Sequence, residues 1–447
     1  MKRNNPFITG TIILTLTGLI SRLIGFFYRI YLSRLFGEEG MGVYQLISPV
    51  LALTFSLTAA GLQTAISKYV AGEVATKDYK SSFRILFAGL FMSIVLSLAC
   101  MFFIISFSET IAVHFLLEER TASMLRIIAL SIPVGAVHSC INGYFYGIKK
   151  TGVPAATQLL EQLCRILCVI IASSICAKRG TTPTINVAVI GLVIGEFCAV
   201  VVSITSIYFH FCKASQSLGL HKKIVRSIHP VSSYLTVSKK LLGLSVPLSL
   251  TRIVINLLQS VEAVYIPPML QTYGYDSVTA LSVYGVLTGM ALPFIMFPNA
   301  LTGSVSLLLL PMVSEADAAG NKLRLKRTFG KTVYSCIFLG GICTLCFLVA
   351  GRPVGEFLFK SELAGRFICS LSFICPALYL CTTLSSILHG LGKAGSVFFV
   401  NVSSIMIRLL VVFYLLPRLG IDSYIAGMLI SQVYAAGCYL LLLRKLI

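Results

Sequence analysis

The sequence is poor in charged residues and poorest in acidic ones. Only 12% of its 447 residues are charged, about half the share of a soluble globular protein. The four aspartates are widely separated in the sequence: Asp78, Asp276, Asp317 and Asp422. Adjacent acidic residues occur only at Glu38–Glu39 and Glu118–Glu119, both in predicted external loops. Membrane enzymes that handle lipid phosphates through Mg²⁺ need clustered carboxylates. This scarcity argues against a membrane-embedded transferase, and we predict that the protein is not an enzyme.

Motifs for nucleotides, metals and cofactors are also missing. The chain has no G-x-x-x-x-G-K-[ST] sequence, which disfavours transport driven directly by ATP. Most of the 14 cysteines lie in apolar stretches, and the C-x-x-C of Cys343 and Cys346 has no flanking histidine. Such cysteines behave as small hydrophobic residues. We therefore predict no metal site and no cofactor.

What the sequence has in abundance is apolar length. Hydrophobic residues make up 57% of the chain, and the mean hydropathy is +0.90. Runs of about 20 apolar residues recur from end to end, each long enough to cross ~30 Å of hydrocarbon as a helix. We predict an all-α polytopic membrane protein with twelve transmembrane helices, at 8–32, 41–71, 82–107, 121–147, 154–177, 187–212, 239–265, 278–311, 329–350, 363–390, 396–416 and 422–446.

The net charge of +20 is carried mainly by the loops. Counted over alternate loops, the set that includes both termini holds 22 Lys and Arg, and the opposite set holds eight. Positive loops stay in the cytoplasm, so we predict a multi-pass protein of the cell membrane with both termini cytoplasmic. The same distribution accounts for the basic charge without nucleic acid as a partner.

One turn between two apolar stretches occurs twice, displaced by 243 positions. Its matching residues are Gly147 and Gly390, Lys150 and Lys393, Gly152 and Gly395, and Arg165 and Arg408. We predict a duplication that gives an N-terminal six-helix lobe (1–220), a basic cytoplasmic linker (221–238) and a C-terminal six-helix lobe (239–447). Internal repeats of this kind are typical of transporters, with the substrate site between the repeats.

Charged residues deep in the predicted spans are mostly arginines. The arginines are Arg22, Arg29, Arg165, Arg252 and Arg408, and the acids are Glu161, Glu196 and Glu262. A charge at such depth costs roughly 3 kcal/mol or more unless it is paired or hydrated. The excess of positive charge suits an anionic substrate. Arg126, near the end of a span, is predicted to be structural.

The first span carries a stripe of Gly18, Arg22, Gly25 and Arg29, which share one helix face. Guanidinium groups bind phosphate through paired hydrogen bonds. The stripe therefore predicts a clamp for a phosphate or diphosphate group. The alternative is a packing seam of small residues whose arginines pair with carboxylates or carbonyl groups.

The seventh span has a polar stripe that predicts the lining of a substrate cavity: Arg252, Asn256, Gln259 and Glu262. Glu262 is expected either to couple an ion or to orient Arg252, while Glu196 is expected to couple an ion or to pair with a charge.

Glu161 and Arg165 have the i, i+4 spacing of a helical ion pair and are expected to neutralise each other. Arg408 repeats Arg165 but has Ser404 in place of the acid, so we predict that Arg408 is freer to bind substrate. His138 and His389 close their spans and are predicted to be packing residues.

Several motifs resemble a known family. SRLIGFFYRIYLSRLFGEEGMGVYQL (21–46), GYFYGIKKTGVPAATQLLEQLCR (143–165) and FPNALTGSVSLLLLPMVSEA (297–316) are similar to the polysaccharide-transporter branch of the multidrug/oligosaccharidyl-lipid/polysaccharide (MOP) exporter superfamily. Within it, the chain resembles the stage V sporulation protein B group. Related lipid II flippases carry an arginine that matches Arg22, but their next functional arginine falls at Tyr28, one position before Arg29. The arginine and glutamate of their eighth helix have no match in 284–293.

The resemblance implies two six-helix bundles, alternating access and a lipid-linked glycan as cargo. We therefore expect a flippase that moves an anionic, polyprenyl-diphosphate-linked precursor of cell-wall peptidoglycan across the cytoplasmic membrane, for use in the spore cortex. Its expected partners are the lipid-linked glycan, membrane lipids, a coupling cation (H⁺ or Na⁺) and proteins of cell-wall synthesis. Two alternatives stay open, namely a multidrug or cation antiporter on the same fold and a non-transporting scaffold for wall assembly.

Overall fold

The computed structural model describes residues 6–76, 78–217 and 231–446. Their regular secondary structure is helical throughout. Most of the predicted linker, 221–230, lies outside these ranges. In the first half of the chain the α-helices are α1 (Pro6–Leu46), α2 (Ser48–Phe55), α3 (Gly61–Ala75), α4 (Tyr79–Ser106), α5 (Ser108–Thr110), α6 (Thr121–Ala129), α7 (Ser131–Gly147), α8 (Gly152–Lys178) and α9 (Asn186–Ser217).

The second half continues the helical pattern. Its α-helices are α10 (Val231–Tyr273), α11 (Ser277–Gly285), α12 (Leu292–Met296), α13 (Asn299–Ala318), α14 (Lys322–Val354), α15 (Glu362–Leu371), α16 (Cys375–Gly390), α17 (Ala394–Leu410), α18 (Leu416–Leu419) and α19 (Ile421–Leu446). Short π-helical segments connect several of them, at Ser56–Ala60, Ile111–Phe115, Val286–Ala291, Gly355–Phe359 and Val411–Leu415.

Long apolar helices account for the twelve predicted spans. Within the described ranges, ten helical stretches are long and apolar enough to cross a membrane, and the bent pair α6–α7 adds an eleventh. The first stretch, Thr15–Ala75, has 61 residues, roughly 90 Å of helix where about 30 Å suffices. It is interrupted at Gly37, whose φ of 71° is not helical. Divided there, it supplies two spans and brings the count to twelve.

The helices form two compact units, which do not coincide with the predicted lobes. Unit 1 is Met1–Ser21 with Ile47–Asn256, and unit 2 is Arg22–Leu46 with Leu257–Ile447. The C-terminal part of α1 belongs to unit 2 because its backbone packs directly on α11. A Cβ atom at Gly42 would lie 2.1 Å from the carbonyl oxygen of Leu281, and one at Gly285 would lie 2.4 Å from the Gly42 nitrogen.

Unit 1 also takes in the start of α10. At Gly61, the first residue of α3, a Cβ atom would lie 2.4 Å from the carbonyl oxygen of Ser245 on α10. Only glycine permits backbones to approach this closely. The boundary that we predict at residues 221–238 separates two repeats of the sequence, and it stays a prediction. The compact units have their boundaries at other positions in the chain.

Contacts inside the two units repeat at the offset of 243. A Cβ atom at Gly147 would lie 2.8 Å from the carbonyl oxygen of Ser67, and one at Gly390 would lie 2.8 Å from that of Leu310. Gly143 packs in the same way on the carbonyl of Gln63. At the equivalent position in unit 2, the Ser386 hydroxyl donates to the carbonyl of Ser306 at 2.6 Å. The pairs α3–α7 and α13–α16 thus use matching positions, which supports the predicted duplication.

Candidate functional site

Four charged or titratable side chains meet inside unit 1. Arg165 donates to the carboxylate of Glu161, one turn earlier on α8. The Nδ1 atom of His138 on α7 lies 3.4 Å from Oε2 of Glu196 on α9, and its Nε2 atom lies 3.2 Å from the Thr157 hydroxyl. Ligand atoms of the histidine and of both glutamates all lie within 4.8 Å of one another. We call these four residues, without Thr157, the unit 1 cluster.

Close packing of α8, α9 and α7 brings the cluster together. A Cβ atom at Gly195 would lie 2.7 Å from the carbonyl oxygen of Glu161, so this glycine lets α9 approach α8. The neighbouring Glu196 thereby reaches the Glu161–Arg165 pair. On α7, Gly135 stands one turn before His138, and a Cβ atom there would lie 3.7 Å from the Glu196 carboxylate.

A cavity of about 240 Å³ adjoins the cluster. Arg165 and Glu196 contribute to its wall, together with Gly135 and the hydroxyl-bearing side chains Thr54, Thr58 and Ser131. Because one water molecule occupies about 30 Å³ of liquid, the cavity has room for several. The cluster is therefore largely buried beside a cavity whose lining is mainly apolar and which has room for water.

The donor set of the cluster resembles a metal site, but two of its three members have partners outside the set. A metal ion in a protein takes three or four such ligands. Glu161 is engaged by Arg165, and Nε2 of His138 is engaged by Thr157. The arrangement therefore favours an internal network of ion pairs and hydrogen bonds over a metal centre.

Unit 2 contains a second buried charge pair. Arg408 on α17 binds Glu262 on α10 through two hydrogen bonds, Nε to Oε1 at 2.7 Å and Nη2 to Oε2 at 3.0 Å. The hydroxyl of Tyr424 on α19 donates to the same Oε1 at 2.8 Å. The Glu262 side chain is only 7% exposed and that of Arg408 12%. The expectation that Arg408 is the freer arginine is therefore wrong, because Glu262, 146 positions earlier in the chain, takes the place of Glu161.

Arg22 has a different environment in unit 2. It is exposed, and its guanidinium group lies beside Gly303 of α13. A Cβ atom added at Gly303 would lie 3.9 and 4.0 Å from the two terminal guanidinium nitrogens. Within the described ranges it forms no salt bridge with a carboxylate. Arg29, two turns further along α1, is partly buried.

The glycines of the α1 stripe do not behave as packing residues. A Cβ atom at Gly18 or Gly25 would meet no described atom within 4 Å. A seam of small residues would instead bring a neighbouring backbone close. The contacts favour an open face beside Arg22 over the packing-seam alternative.

The polar stripe of the seventh span is divided among several environments. Asn256 donates to the Ser56 hydroxyl at 2.6 Å and to the Ala52 carbonyl at 3.2 Å. Arg252 is exposed and reaches the carbonyl of Ala60 at 3.5 Å. Gln259 is exposed, and Glu262 is buried against Arg408. Asn256 thus fastens α10 to α2 and to the π-helical segment after it.

The sequence analysis identified the glutamates and arginines of the unit 1 cluster and of the Glu262–Arg408 pair. It did not identify His138 and Tyr424 as their partners. His138 was predicted to be a packing residue, yet its ring contacts Glu196 and Thr157. Tyr424 gave no signal because tyrosine is common in apolar helices, and nothing in its spacing points to Glu262, 162 positions away. The depth of His138 in an apolar span was the one available clue.

Long apolar helices indicate a multi-pass membrane protein, and its fold resembles that of solved transporters. A multidrug resistance MATE transporter of the MOP superfamily, in its inward-facing conformation, superposes with a TM-score of 0.74 at 15% identity, covering 95% of this chain and 94% of the other. The predicted fold class is thereby confirmed.

The chain belongs to the family described as polysaccharide biosynthesis protein, whose sequence profile matches residues 7–317. It is 28% identical to stage V sporulation protein B of Bacillus subtilis (strain 168), over 96% of this chain and 83% of that protein. It is 23% identical to the lipid II flippase MurJ of the same organism, over 87% of this chain and 74% of the flippase. These findings confirm the predicted resemblance, and none of the three relatives is described as an enzyme.

Proposed function

We propose that this protein is a flippase that moves an anionic, polyprenyl-diphosphate-linked glycan across the cytoplasmic membrane by alternating access. The cargo that we propose is a peptidoglycan precursor for the spore cortex, and both termini lie in the cytoplasm. The similarity to a lipid II flippase and to a sporulation protein supports this choice of cargo.

The observation that carries the proposal is the state of Arg22. Two other deep arginines, Arg165 and Arg408, are each paired with the carboxylate of a glutamate. Arg22 lies on an apolar helix with its guanidinium group against a glycine and without a carboxylate partner in the described part of the chain. An uncompensated charge in that setting is expensive. An anionic ligand relieves the cost whenever it is bound.

Guanidinium chemistry suits a diphosphate. A planar guanidinium group donates two parallel hydrogen bonds to a phosphate. We propose that Arg22 holds one phosphate of the diphosphate and that Arg29, two turns away on the same face, holds the other. Arg252 and Gln259 are exposed, and we propose that they contact the polar part of the cargo. We assign Arg408 and Asn256 structural roles because both are engaged within their units.

A cation or multidrug antiporter on the same fold is the main rival. Its substrate site requires acids, but the first acidic residue of the sequence is Glu38, after the whole of the first predicted span. Of the three acids that do lie deep, Glu161 and Glu262 are ion-paired to arginines, and Glu196 contacts His138. The charge of the described part of the chain therefore favours an anionic cargo.

A translocation assay tests the proposal and also distinguishes a flippase from a scaffold. The full-length protein is reconstituted in liposomes that contain a fluorescent polyprenyl-linked glycan with either a diphosphate or a monophosphate linkage. Fluorescence quenching from outside reports the lipid that has crossed. We expect rapid translocation of the diphosphate lipid and slower translocation of the monophosphate lipid. Equal rates would contradict a diphosphate site, and no translocation of either lipid would favour the scaffold.

A further inference from the structure

We propose that Asn299, the first residue of α13, determines the specificity of the anion site at Arg22 for a diphosphate. Its side-chain amide donates a hydrogen bond, together with Arg29, to the phosphate next to the one that Arg22 binds. The proposal rests on the proposed function, because it adds a further protein group to the Arg22 site. It is argued from contacts within unit 2 alone.

Arg22 and Asn299 lie at neighbouring positions in unit 2. The guanidinium group of Arg22 lies beside Gly303, 3.9 Å from the position of an added Cβ atom. Asn299 precedes Gly303 by one turn of α13. Residues with this spacing share one face of a helix, with roughly 5–6 Å between their Cβ atoms. The amide of Asn299 is therefore within reach of a ligand that Arg22 binds.

The contacts between α1 and the start of α13 show on which side of Arg22 the amide lies. At Arg22 the contact on α13 is Gly303. One turn later along α1, at Phe26, the contact is Phe297, with 5.8 Å between the ring centroids. The two segments therefore run in opposite directions where they meet. Asn299 comes between these two contacts and so lies past Arg22, in the direction in which α1 continues.

Two threonine hydroxyls fix the orientation of the amide. Thr302 and Thr382 both donate to Oδ1 of Asn299, at 2.5 and 3.1 Å. A separation of 2.5 Å is within the range of O–H···O hydrogen bonds and shorter than that of N–H···O bonds, so the acceptor is the amide oxygen. A carbonyl oxygen has two lone pairs, and both are used. The Nδ2 group therefore points away from these two hydroxyls.

The amide can offer only hydrogen-bond donors to a ligand. Nδ2 of Asn299 forms no hydrogen bond with a described residue and is not enclosed by the protein. A pair of N–H donors suits an anion, whereas a bound cation would need the oxygen. Unlike a further arginine, the amide adds no charge that needs compensation when no ligand is bound. These properties fit a phosphate oxygen as the acceptor.

Aromatic side chains next to the amide strengthen its hydrogen bonds to a ligand. The ring of Phe26 packs on Phe294, Phe297 and Phe359, with 5.5 to 6.5 Å between the ring centroids. Hydrogen bonds are stronger beside such apolar groups than in water. Space for the ligand is left at Gly25 of α1, where an added Cβ atom would meet no described atom within 4 Å.

Binding of two short prenyl phosphates to the full-length protein in detergent tests the proposal without transport. Isothermal titration calorimetry measures the dissociation constants of farnesyl diphosphate and farnesyl monophosphate. In Asn299→Ala we expect the diphosphate to bind about tenfold more weakly, because a hydrogen bond to a charged group is lost. The monophosphate should bind as it does to wild type. Equal effects on the two probes, or no effect on either, would overturn the proposal.

Variants that keep the packing separate the donors of the amide from a structural role. Asn299→Asp preserves the shape and the acceptor oxygen of the side chain, and its carboxylate should repel the second phosphate. We expect weaker diphosphate binding than in Asn299→Ala. Thr382→Val removes a hydroxyl that orients the amide and should reduce the preference for the diphosphate, whereas Thr382→Ser should retain it. Wild-type diphosphate binding by folded Asn299→Asp would contradict the donor role.

The matched control is another asparagine of unit 2. Asn401 on α17 accepts a hydrogen bond from the Tyr439 hydroxyl at 2.9 Å, and Asn401→Ala should bind both probes as wild type does. Thermal unfolding of each variant shows whether a loss of binding only reports a loss of structure. The same loss of diphosphate preference in Asn401→Ala would overturn the specific role of Asn299.

The translocation assay separates this proposal from the proposed function. In proteoliposomes, Asn299→Ala should narrow the difference in rate between the diphosphate-linked and monophosphate-linked glycans, while Asn401→Ala keeps it. An unchanged difference would refute the role of Asn299 and leave the flippase intact. If wild type moved neither glycan but bound farnesyl diphosphate with the expected dependence on Asn299, the flippase would be refuted and the diphosphate site would stand.

Discussion

Three arginines inside the apolar helices, Arg22, Arg165 and Arg408, differ in whether a carboxylate contacts them. Arg165 and Arg408 each contact a glutamate and are largely buried. Arg22 is exposed beside Gly303 and has no carboxylate partner among the described residues. A paired arginine is fixed by its partner, whereas an unpaired one is available to a ligand. This difference is why we propose Arg22, and not Arg165 or Arg408, for cargo binding.

The Glu262–Arg408 pair makes a prediction about stability. Glu262→Gln leaves a buried guanidinium group without its counter-charge, and such a loss costs about 3–5 kcal/mol of unfolding free energy. Denaturation of the protein in mixed detergent micelles measures the change. The matched control is Asp422→Asn, since its pair with Arg366 is 60% exposed on both sides and should contribute ~1 kcal/mol or less.

The double variant Glu262→Gln with Arg408→Gln completes this test. Removing both charges avoids the unpaired buried charge, so the double variant should be more stable than Glu262→Gln alone. If Glu262→Gln destabilised the protein no more than Asp422→Asn does, the pair would not be the buried contact described.

At the scale of the helix, the sequence predicted which stretches are helical but not where they break. Apolar length marks α4, α8, α9 and α19 clearly. The π-helical segments give no sequence signal, because their residues are as apolar and as helix-compatible as their neighbours. Ser56–Ala60 illustrates this, since its residues SLTAA do not differ from those of an ordinary apolar helix.

An acidic side chain caps one helix end that lies in a loop. Asp78 precedes α4, and its carboxylate accepts hydrogen bonds from the backbone nitrogen of Ser81 at 3.0 Å and from the Ser81 hydroxyl at 2.7 Å. These bonds, the backbone one first, lower the pKa of Asp78 below its usual 3.8. A lowered pKa means that the cap stabilises the folded state above that pH and is lost as the pH falls through the folded-state value.

This cap gives a prediction with a defined pH dependence. Asp78→Ala should lower the free energy of unfolding by about 1 kcal/mol at pH 7. The difference between wild type and Asp78→Asn should shrink as the pH falls below 3.8, because the aspartate is then protonated. Thermal unfolding in an acid-stable detergent measures both. A difference that grew with acidity would show that the ionised carboxylate does not form the cap.

For the whole molecule, four identical pairs at one turn predict a duplication, and the packing contacts of Gly147 and Gly390 recur at the same offset. The division into units was not readable. It depends on backbone contacts such as that of Gly42 with Leu281, and glycine in an apolar helix does not reveal which helix it will contact. The partner of Arg408 was hidden for the same reason, because Glu262 lies 146 positions away.

The topology prediction concerns the whole chain. With both termini in the cytoplasm, the loop between α10 and α11 is external and the loop before α14 is internal. Asp276 and Lys322 are exposed in these loops. In a background without the native cysteines, a membrane-impermeant thiol reagent should label Asp276→Cys in intact cells and should label Lys322→Cys only after lysis. Labelling of Lys322→Cys in intact cells would reverse the orientation.

The account depends most directly on Arg22 as an anion site, and translocation of the diphosphate-linked glycan by Arg22 variants in proteoliposomes is the measurement that tests it. Arg22→Lys keeps the charge but loses the planar pair of donors, so we expect about a tenfold lower rate, the equivalent of ~1.4 kcal/mol. Arg22→Ala should abolish translocation at normal membrane abundance. Arg126 forms an exposed salt bridge with Glu109. The control variant Arg126→Ala should therefore be nearly as active as wild type. Wild-type rates from well-folded Arg22→Ala protein would contradict the anion site.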